Sequence, residues 1–445
     1  MIPRFLPGIE IEDILSVLDS KSVDNKIGEL SSISGDKRFY LLSSGRSAIY
    51  LTLKGLNIGK GDEVIVPALT CPAVLDAIIA VGATPVIVPV ESERFGLDPF
   101  ALNKAITTKT KAVIPVDIYG ARCRIEEIYE IVNKKCAIIE DSAQASPFAI
   151  SNWARDYPDA LIVSLNYDKQ ITTGGGGILI IKRPELFNIQ DIRDDDNERT
   201  DIISSGLLRL LMDKSIYNEF LSMMAGAEII GNNLIGEDEI INILRIYNRD
   251  GYTEGIEVKL RKLSDKYIGK RGKSKIAKLL RKGLWYLIRP VFLSEPGQFK
   301  TRKMGILKRS ILSLSIKRFK DDIILRKKLA GMLREKITDI RGISFQRTDD
   351  GLMRFTISFN DRIVRQNAIK KLAEAGIEAG PFNYPLPVHR IPTYRKYIKI
   401  VGDMTWTEMF IEGLVNLPVH RQVSVDDINK MAGIIQEVVS GNKGK

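Results

Sequence analysis

The most constraining feature of this 445-residue sequence is a regular alternation of short apolar runs and helix-like segments between residues 36 and 182. The apolar runs predict buried strands at 63–67, 85–90, 111–116, 136–140, 160–164 and 178–182. Helical periodicity predicts helices between them, at 46–56, 71–81, 99–107 and 124–134. Such alternation predicts an α/β fold, in which helices cover both faces of a mixed, mostly parallel sheet.

A lysine lies in the loop between the last two of these strands. Lys169 comes five residues after Ser164 and five before the four glycines at 174–177. Four consecutive glycines cost backbone entropy, so they indicate a sharp bend or a close approach of another group to the backbone. A lysine held there beside apolar residues can act as an amine nucleophile toward an aldehyde. The alternative is an ordinary solvated lysine next to a flexible turn.

An aspartate at the end of a neighbouring strand favours the first interpretation. Asp141 directly follows the strand predicted at 136–140, and ligands bind at the carboxyl ends of parallel strands. Asp141 and Lys169 would then lie on neighbouring strand ends. An aldehyde cofactor with a pyridine ring needs a lysine for the Schiff base and a carboxylate that keeps the ring nitrogen protonated. The pair therefore indicates pyridoxal 5′-phosphate (PLP). Asp117 and Tyr119 follow another strand, and we interpret them as ordinary loop residues.

A phosphate-binding turn would complete such a site. Ser44, Gly45, Arg46 and Ser47 immediately precede or begin the helix predicted at 46–56. The N–H groups and positive end of a helix favour an anion at that position. Serine and glycine also begin many helices that bind nothing, so this motif gains weight from the lysine and the aspartate.

At this point the sequence resembles the DegT/StrS-type PLP-dependent nucleotide-sugar aminotransferases, which have fold type I. The resemblance covers about residues 1–182 and 304–440. It is carried by the order and spacing of eight motifs, at 44–48, 61–67, 82–86, 110–116, 140–145, 164–177, 384–389 and 417–420.

The resemblance implies specific roles for site residues. Lys169 would form the Schiff base and move the proton, Asp141 would pair with the pyridinium nitrogen, and Gln144 would contact the ring hydroxyl. The cofactor's phosphate would lie among Gly45, Arg46, Ser47 and Ser164. Relatives often place an aromatic residue against the cofactor ring where this chain has Cys71, which offers less π contact.

The domain organisation follows from the same pattern. We expect a large PLP-binding domain over 1–320 and a smaller α+β domain over 321–440. A divergent, basic helical insertion at about 185–303 interrupts the large domain. The smaller domain is predicted from a long helix at 306–337, strands at 343–345 and 355–359, and helices at 364–375 and 425–439. A further helix is expected at 10–18. The resemblance also implies that the chain forms a homodimer.

Composition limits the remaining possibilities. The content of 44% hydrophobic and 27% charged residues is ordinary for a soluble globular protein. The three cysteines lack metal-ligand spacing and only two histidines are present, so we expect no metal and a reducing, cytoplasmic compartment. We find no signal-peptide pattern and no apolar window of membrane-spanning length.

One segment of the insertion, from Lys259 to Lys282, is strongly basic. Between Lys259 and Lys282 there are eleven basic residues and the single acid Asp265, against a net charge of +11 for the whole chain. Apolar residues recur at helical spacing from Ile276 to Ile288, with Trp285 beside them. This pattern predicts a basic amphipathic helix that either docks reversibly on an anionic membrane through 259–289 or packs on the protein or a partner subunit. We expect no nucleic-acid partner, because no binding module is recognisable.

Three functions remain open. The first is PLP-dependent transamination of a keto-sugar nucleotide, with an amino acid such as glutamate as donor, in the synthesis of cell-surface polysaccharide. The second is a sugar dehydratase or isomerase of the same fold. Because some dehydrating relatives replace the lysine, Lys169 favours transamination. The third is a non-catalytic, membrane-associated relative.

Overall fold

The computed structural model describes residues 1–19 (except 4, 5 and 7), 38–145, 157–189 (except 167), 301–381 (except 349) and 386–441, and the single residues 192, 202, 203 and 245. The predicted insertion therefore lies almost wholly outside the described residues, as does the basic segment 259–289.

The described helices are α1 (Ile11–Asp19), α2 (Gly45–Gly55), α3 (Pro72–Ala80), α4 (Pro99–Ala105), α5 (Ile125–Val132), α6 (Ile306–Ile337), α7 (Arg362–Glu374), α8 (Thr405–Glu412) and α9 (Val425–Ser440). The described strands are β1 (Arg38–Leu42), β2 (Glu63–Pro67), β3 (Thr84–Val88), β4 (Thr110–Val113), β5 (Ala137–Asp141), β6 (Ala160–Ser164), β7 (Gly177–Ile181), β8 (Ile343–Phe345), β9 (Phe355–Phe359), β10 (Lys399–Ile400) and β11 (Leu414–Leu417).

The main sheet has eight strands in the order β1-β7-β6-β5-β4-β2-β3-β10. The five pairings from β6 to β10 are parallel, and β7 runs antiparallel to both β1 and β6. The expectation of a mixed, mostly parallel sheet is confirmed. The parallel part brings the carboxyl ends of β5 and β6 together at one edge.

Helices cover both faces of this sheet because its strands are apolar on both sides. Val64 and Val66 of β2 pack into a cluster with residues of α2 and α3, such as Leu53 and Ile78. Ile65, which points to the opposite face, packs with residues of α4 and α5. Strands buried on both faces have near-continuous apolar sequences, which is the pattern seen in 63–67.

A second, three-stranded antiparallel sheet has the order β11-β9-β8. Its apolar residues pack with α7, α9 and the second half of α6 in a separate cluster. The helix α6 runs without interruption through residue 320, where the sequence placed the boundary between the two domains. That boundary stays a prediction.

The strand predicted at 111–116 ends early. β4 stops at Val113, and Ile114 donates one more hydrogen bond, to the Ile65 carbonyl at 2.8 Å. Pro115 has no N–H group to donate, so the ladder cannot continue through it. The chain then meets β5 again through a bridge between Val116 and Asp141.

Four elements were not predicted. β1 is an edge strand, and β10 has two residues, both exposed. β10 is too short to give an apolar run. β1 does contain one, Phe39 to Leu42, which could have been interpreted as a strand. α8 and β11 follow each other directly at Gly413, whose added Cβ would lie 2.2 Å from the Phe359 carbonyl oxygen. A helix and a strand that adjoin without a turn give no boundary signal in the sequence.

Candidate active site

Lys169 lies in a loop after β6 that is closed by hydrogen bonds of its own. Leu165 donates to the Gly176 carbonyl at 2.9 Å and accepts from the Thr173 N–H at 3.1 Å. The Thr172 hydroxyl also donates to the Leu165 carbonyl, at 2.9 Å. The loop thus folds back on the end of β6. Its lysine is largely buried, with 11% of the side chain exposed.

The glycines after this loop serve both purposes that the sequence suggested. Gly174, Gly175 and Gly176 have φ values of 80°, 153° and 141°, which residues with a Cβ rarely adopt. Gly177 lies against the beginning of α2, since a Cβ on it would be 2.5 Å from the Gly45 nitrogen. The run therefore makes the bend and also allows the approach of a helix N-terminus.

That N-terminus has the geometry of the phosphate-binding turn that the sequence predicted, and anion binding there stays a prediction. Ser44 is the N-cap of α2, and its hydroxyl accepts a hydrogen bond from the Ser47 N–H at 3.1 Å. A Cβ on Gly45 would lie 3.2 Å from Ser164 Cβ, so the end of β6 faces the first turn of the helix. The first N–H groups of a helix have no intrahelical acceptor. The four residues predicted to hold a phosphate are thus brought together.

The Arg46 side chain has a different role from its backbone. Its guanidinium Nη2 lies 3.8 Å from Asp76 Oδ2 on α3, and Asp76 also accepts from the Tyr394 hydroxyl at 2.6 Å. The Arg46 charge is therefore directed to α3. Its backbone N–H, in the first turn of α2, remains the group suited to an anion.

Asp141 is the last residue of β5 and is 3% exposed. Burial raises the pKa of its carboxyl to about 6, although the Ala143 N–H and the Lys169 charge act in the opposite direction. The Ala143 N–H donates to Asp141 Oδ1 at 3.0 Å. A buried carboxylate that is electrostatically under-compensated is suited to a cationic ring nitrogen.

A polar network lies directly behind Asp141 and holds the adjoining loop. Asp117 donates its N–H to the Asp141 carbonyl at 3.0 Å, and its carboxylate accepts from the Cys123 N–H at 2.8 Å and from the Ser142 hydroxyl. Burial and the Glu140 charge raise the pKa of Asp117 well above its usual range. Asp117 thus holds the loop after β4 by hydrogen bonds, and its interpretation as an ordinary loop residue stays a prediction.

Arg122 supplies a positive charge to this network. Its Nε lies 2.9 Å from Glu140 Oε1, and both side chains are buried. Asp117, Cys123 and Glu140 place three potential metal-ligand atoms within 4.8 Å of one another. Burial, together with the Asp117 and Glu140 charges, raises the pKa of the Cys123 thiol, so the thiol keeps its proton at neutral pH. The positive charge at this point is supplied by the guanidinium.

Gln144 is buried beside Tyr119. Its Oε1 accepts a hydrogen bond from the Tyr119 N–H at 3.0 Å. Tyr119 has a φ of 56°, in the left-handed region, and its ring is fully buried. The structure thus fixes the amide of Gln144 by a backbone group. Its contact with a cofactor hydroxyl stays a prediction.

Cys71 is the N-cap of α3 at the end of β2, and Pro72 begins the helix. The cysteine is partly exposed and packs at the margin of two apolar clusters, one of which contains Tyr119. Its contact with a cofactor ring stays a prediction.

Sequence reasoning missed two charged residues at the lysine. Asp168 Oδ2 lies 3.3 Å from Lys169 Nζ. Arg354, which directly precedes β9 and is 1% exposed, acts electrostatically on Asp168. Asp168 adjoins Lys169 in the sequence and could have been considered. A charged residue before the apolar run 355–359 is the only sequence signal for Arg354.

Solved structures share this fold over nearly their whole length. The aminotransferase TlmJ of Streptoalloteichus hindustanus superposes with a TM-score of 0.65 at 17% identity, covering 100% of both chains. The GDP-4-keto-6-deoxy-D-mannose-3-dehydratase of E. coli, with bound hydrated PLP, gives 0.63 at 19% identity over 96% of each chain. The fold is that of the fold type I PLP-dependent transferases, and the predicted fold class is confirmed.

The family is given by the sequence. The DegT/DnrJ/EryC1/StrS aminotransferase family model matches residues 25–193 and 298–436, and the chain belongs to this family. The chain is also 34% identical over 193 residues to the GDP-perosamine synthase of Caulobacter vibrioides, which covers 41% of this chain and 52% of that protein. It thus matches about half the length of that relative. The resemblance inferred from the motifs is confirmed.

The stretch that the family model leaves unmatched, 194–297, falls within the segment where the family motifs lapse. Among the helices that the structure describes, none combines the length and the apolar character needed to cross a membrane.

Proposed function

We propose that this protein is a PLP-dependent aminotransferase that moves an amino group from an amino acid, glutamate in the first instance, to the keto group of a nucleotide-linked sugar. The observation that carries the proposal is the placement of Lys169, Asp141 and the N-terminus of α2 at one edge of one sheet. The charge of Lys169 acts on the buried Asp141 carboxyl. Gly177 and Ser164 lie against the first turn of α2.

The residues fit the cofactor in three respects. The first turn of α2, with Ser164 opposite Gly45, offers N–H and hydroxyl groups to a phosphate. Asp141 offers a buried carboxylate to a pyridinium nitrogen, and burial raises the pKa of this carboxyl to about 6. Lys169 offers a largely buried primary amine. Gln144 and Cys71 complete the set that we assign to the ring.

When bound, PLP supplies an electron sink for the carbanion formed at the amino acid's Cα. Lys169 Nζ would accept the proton that leaves Cα and deliver it to the second carbon that becomes protonated as the amino group is transferred. Asp141 would hold the ring nitrogen in its protonated form, because a buried carboxylate stabilises an adjacent positive charge. The closed loop of β6 and the apolar residues around it limit access of water to Nζ.

The donor, the oligomeric state and the cellular location belong to the proposal. We propose that the enzyme acts in the cytoplasm, in the synthesis of surface polysaccharide. We also propose that it forms a homodimer. The basic segment 259–289 leads us to propose reversible docking on the inner face of a membrane with anionic lipid.

The function is tested with a panel of keto-sugar nucleotides and glutamate. Transamination replaces a keto oxygen by an amine and converts glutamate to 2-oxoglutarate, so both products are detected by mass spectrometry. Loss of water from the sugar would instead support the dehydratase. No change in any sugar, with cofactor bound, would support the non-catalytic alternative.

A further inference from the structure

The residue that precedes Lys169 is in direct contact with its amine. Asp168 Oδ2 and Lys169 Nζ are 3.3 Å apart, and the two side chains are 14% and 11% exposed. Adjacent residues seldom need to pair, because each can turn to solvent. Here the loop holds both side chains in the interior, where a charge without a counter-charge is costly.

A second cation reinforces the negative charge of Asp168. Burial opposes ionisation of this carboxyl, yet its pKa is lowered, because the Lys169 charge, the Arg354 charge and the hydrogen bond from Lys169 outweigh burial. Arg354 directly precedes β9, a strand of the three-stranded sheet. The carboxylate is thus held ionised from two sides.

The charged groups that act at Lys169 come from three elements. Asp168 lies on its own loop, Asp141 lies at the end of β5, and Arg354 acts on Asp168 from the start of β9. Asp141 is the group that we assign to the cofactor ring. Once its charge is engaged by a ring nitrogen, Asp168 still pairs with the lysine amine, at 3.3 Å.

We propose that Asp168 is a positioning residue for Lys169: its carboxylate orients Nζ and stabilises the ammonium form that exists while Nζ holds a proton. The role in turnover rests on the proposed function. There, Nζ accepts the proton that leaves the donor's Cα, Asp168 stabilises the resulting ammonium without taking the proton, and Nζ then delivers the proton to the other carbon that becomes protonated as the amino group is transferred. Asp168 itself neither gains nor loses a proton.

The first test needs neither turnover nor cofactor. The full-length, cofactor-free protein is labelled with acetic anhydride across a pH series, and modification of Lys169 is measured by mass spectrometry. Asp168→Asn removes the charge and keeps the shape, so Lys169 should be labelled about tenfold faster at pH 7–8 than in the native protein. Asp168→Glu should restore slow labelling. Asp19→Asn, which removes an exposed carboxylate on α1, should change nothing.

The second test uses the holoenzyme. Asp168→Asn should shift the pH midpoint of the cofactor's visible absorption and lower kcat at least tenfold, with the KM for the amino-acid donor unchanged. Asp168→Glu should recover part of kcat. A role confined to packing would lower stability but leave the pH midpoint in place.

The outcomes separate this proposal from the proposed function. Unchanged labelling in Asp168→Asn, in protein that still bonds the cofactor through Lys169, contradicts the role of Asp168 alone. A cofactor that never bonds to Lys169 contradicts the proposed function. The labelling result would still show whether Asp168 controls the reactivity of Lys169. If Asp168→Asn does not fold, Asp168→Ser carries the same labelling test, and equal labelling there overturns the proposal.

Discussion

Gly177, the first residue of β7, lies directly against Gly45, the first residue of α2. A Cβ on Gly177 would be 2.5 Å from the Gly45 nitrogen and 2.5 Å from the Ser44 carbonyl carbon. No side chain can occupy that space without moving the backbone of the helix N-terminus. The two glycines thereby allow β7, which follows the loop of Lys169, to contact the first turn of α2.

Gly177→Ala should therefore displace the first turn of α2. We expect a destabilisation of about 1–3 kcal/mol from overpacking and a lower affinity for the cofactor. Chemical denaturation and fluorescence titration with PLP measure the two effects. Gly331→Ala is the matched control, because nothing lies within 4 Å of a Cβ there and α6 should gain about 0.5–1 kcal/mol. Native stability and affinity in Gly177→Ala would contradict the contact.

The sequence predicted this part of the molecule well because its signals are local. Four glycines indicated a bend or a close approach, and both occur. The apolar runs of the central strands identified them to within three residues at each end, because a strand buried on both faces must be apolar throughout. Asp141 lies at the end of β5 and Lys169 in the loop after β6, as the sequence predicted, and their roles stay predictions.

The features that were missed depend on tertiary contacts. Arg354 acts on Asp168 from a residue 186 positions further along the chain. Tyr119 has a positive φ, and its N–H donates to Gln144, 25 residues away in the sequence. A Cβ added to the adjoining Gly120 would be 2.5 Å from the Met353 nitrogen. No local pattern encodes such a relationship.

Asp141 should make the cofactor-free protein less stable as pH rises. Its folded pKa of about 6 exceeds the usual 3.8, so the folded state binds more protons than the unfolded state between these values. Its contribution is thus most favourable below pH 4 and is lost as pH rises through 6. Asp141→Asn should remove this loss and stabilise the cofactor-free protein by up to about 3 kcal/mol at pH 7.

The measurement is the free energy of unfolding of both proteins at pH 4.5, 6 and 7.5. The difference between them isolates Asp141 from all other titrating groups. In the holoenzyme the same substitution should lower turnover strongly, since the ring nitrogen loses its partner. A stability difference that does not change with pH would contradict the burial of an under-compensated carboxyl.

Removing only one member of the buried Arg122–Glu140 ion pair should strongly lower the free energy of unfolding. Arg122→Leu leaves a buried Glu140 carboxylate beside Asp117, and we expect a loss of about 3–5 kcal/mol. The double variant Arg122→Leu/Glu140→Leu should recover most of that stability, because no uncompensated charge remains. A double-mutant cycle by urea denaturation measures the coupling. Equal losses in the single and double variants would count against the pair as the cause.

The basic segment leads to a prediction about membranes. Eleven basic residues and one acid between Lys259 and Lys282 give a local net charge of +10. Each basic residue near an anionic bilayer contributes about 1 kcal/mol. We expect the protein to sediment with anionic vesicles and not with neutral ones, and a variant lacking 259–289 to lose this binding. Equal sedimentation with both vesicle types, or no effect of the deletion, would leave the segment as a packing element.

Reduction of the bound cofactor tests the central claim most directly. Treatment of the PLP-loaded protein with borohydride should fix one cofactor to each chain, and peptide mapping by mass spectrometry should place it on Lys169. Lys169→Ala should show no covalent label and no turnover, even if PLP still binds. A label on any other lysine, or no label in protein that carries PLP, would contradict the assignment of this loop as the active site.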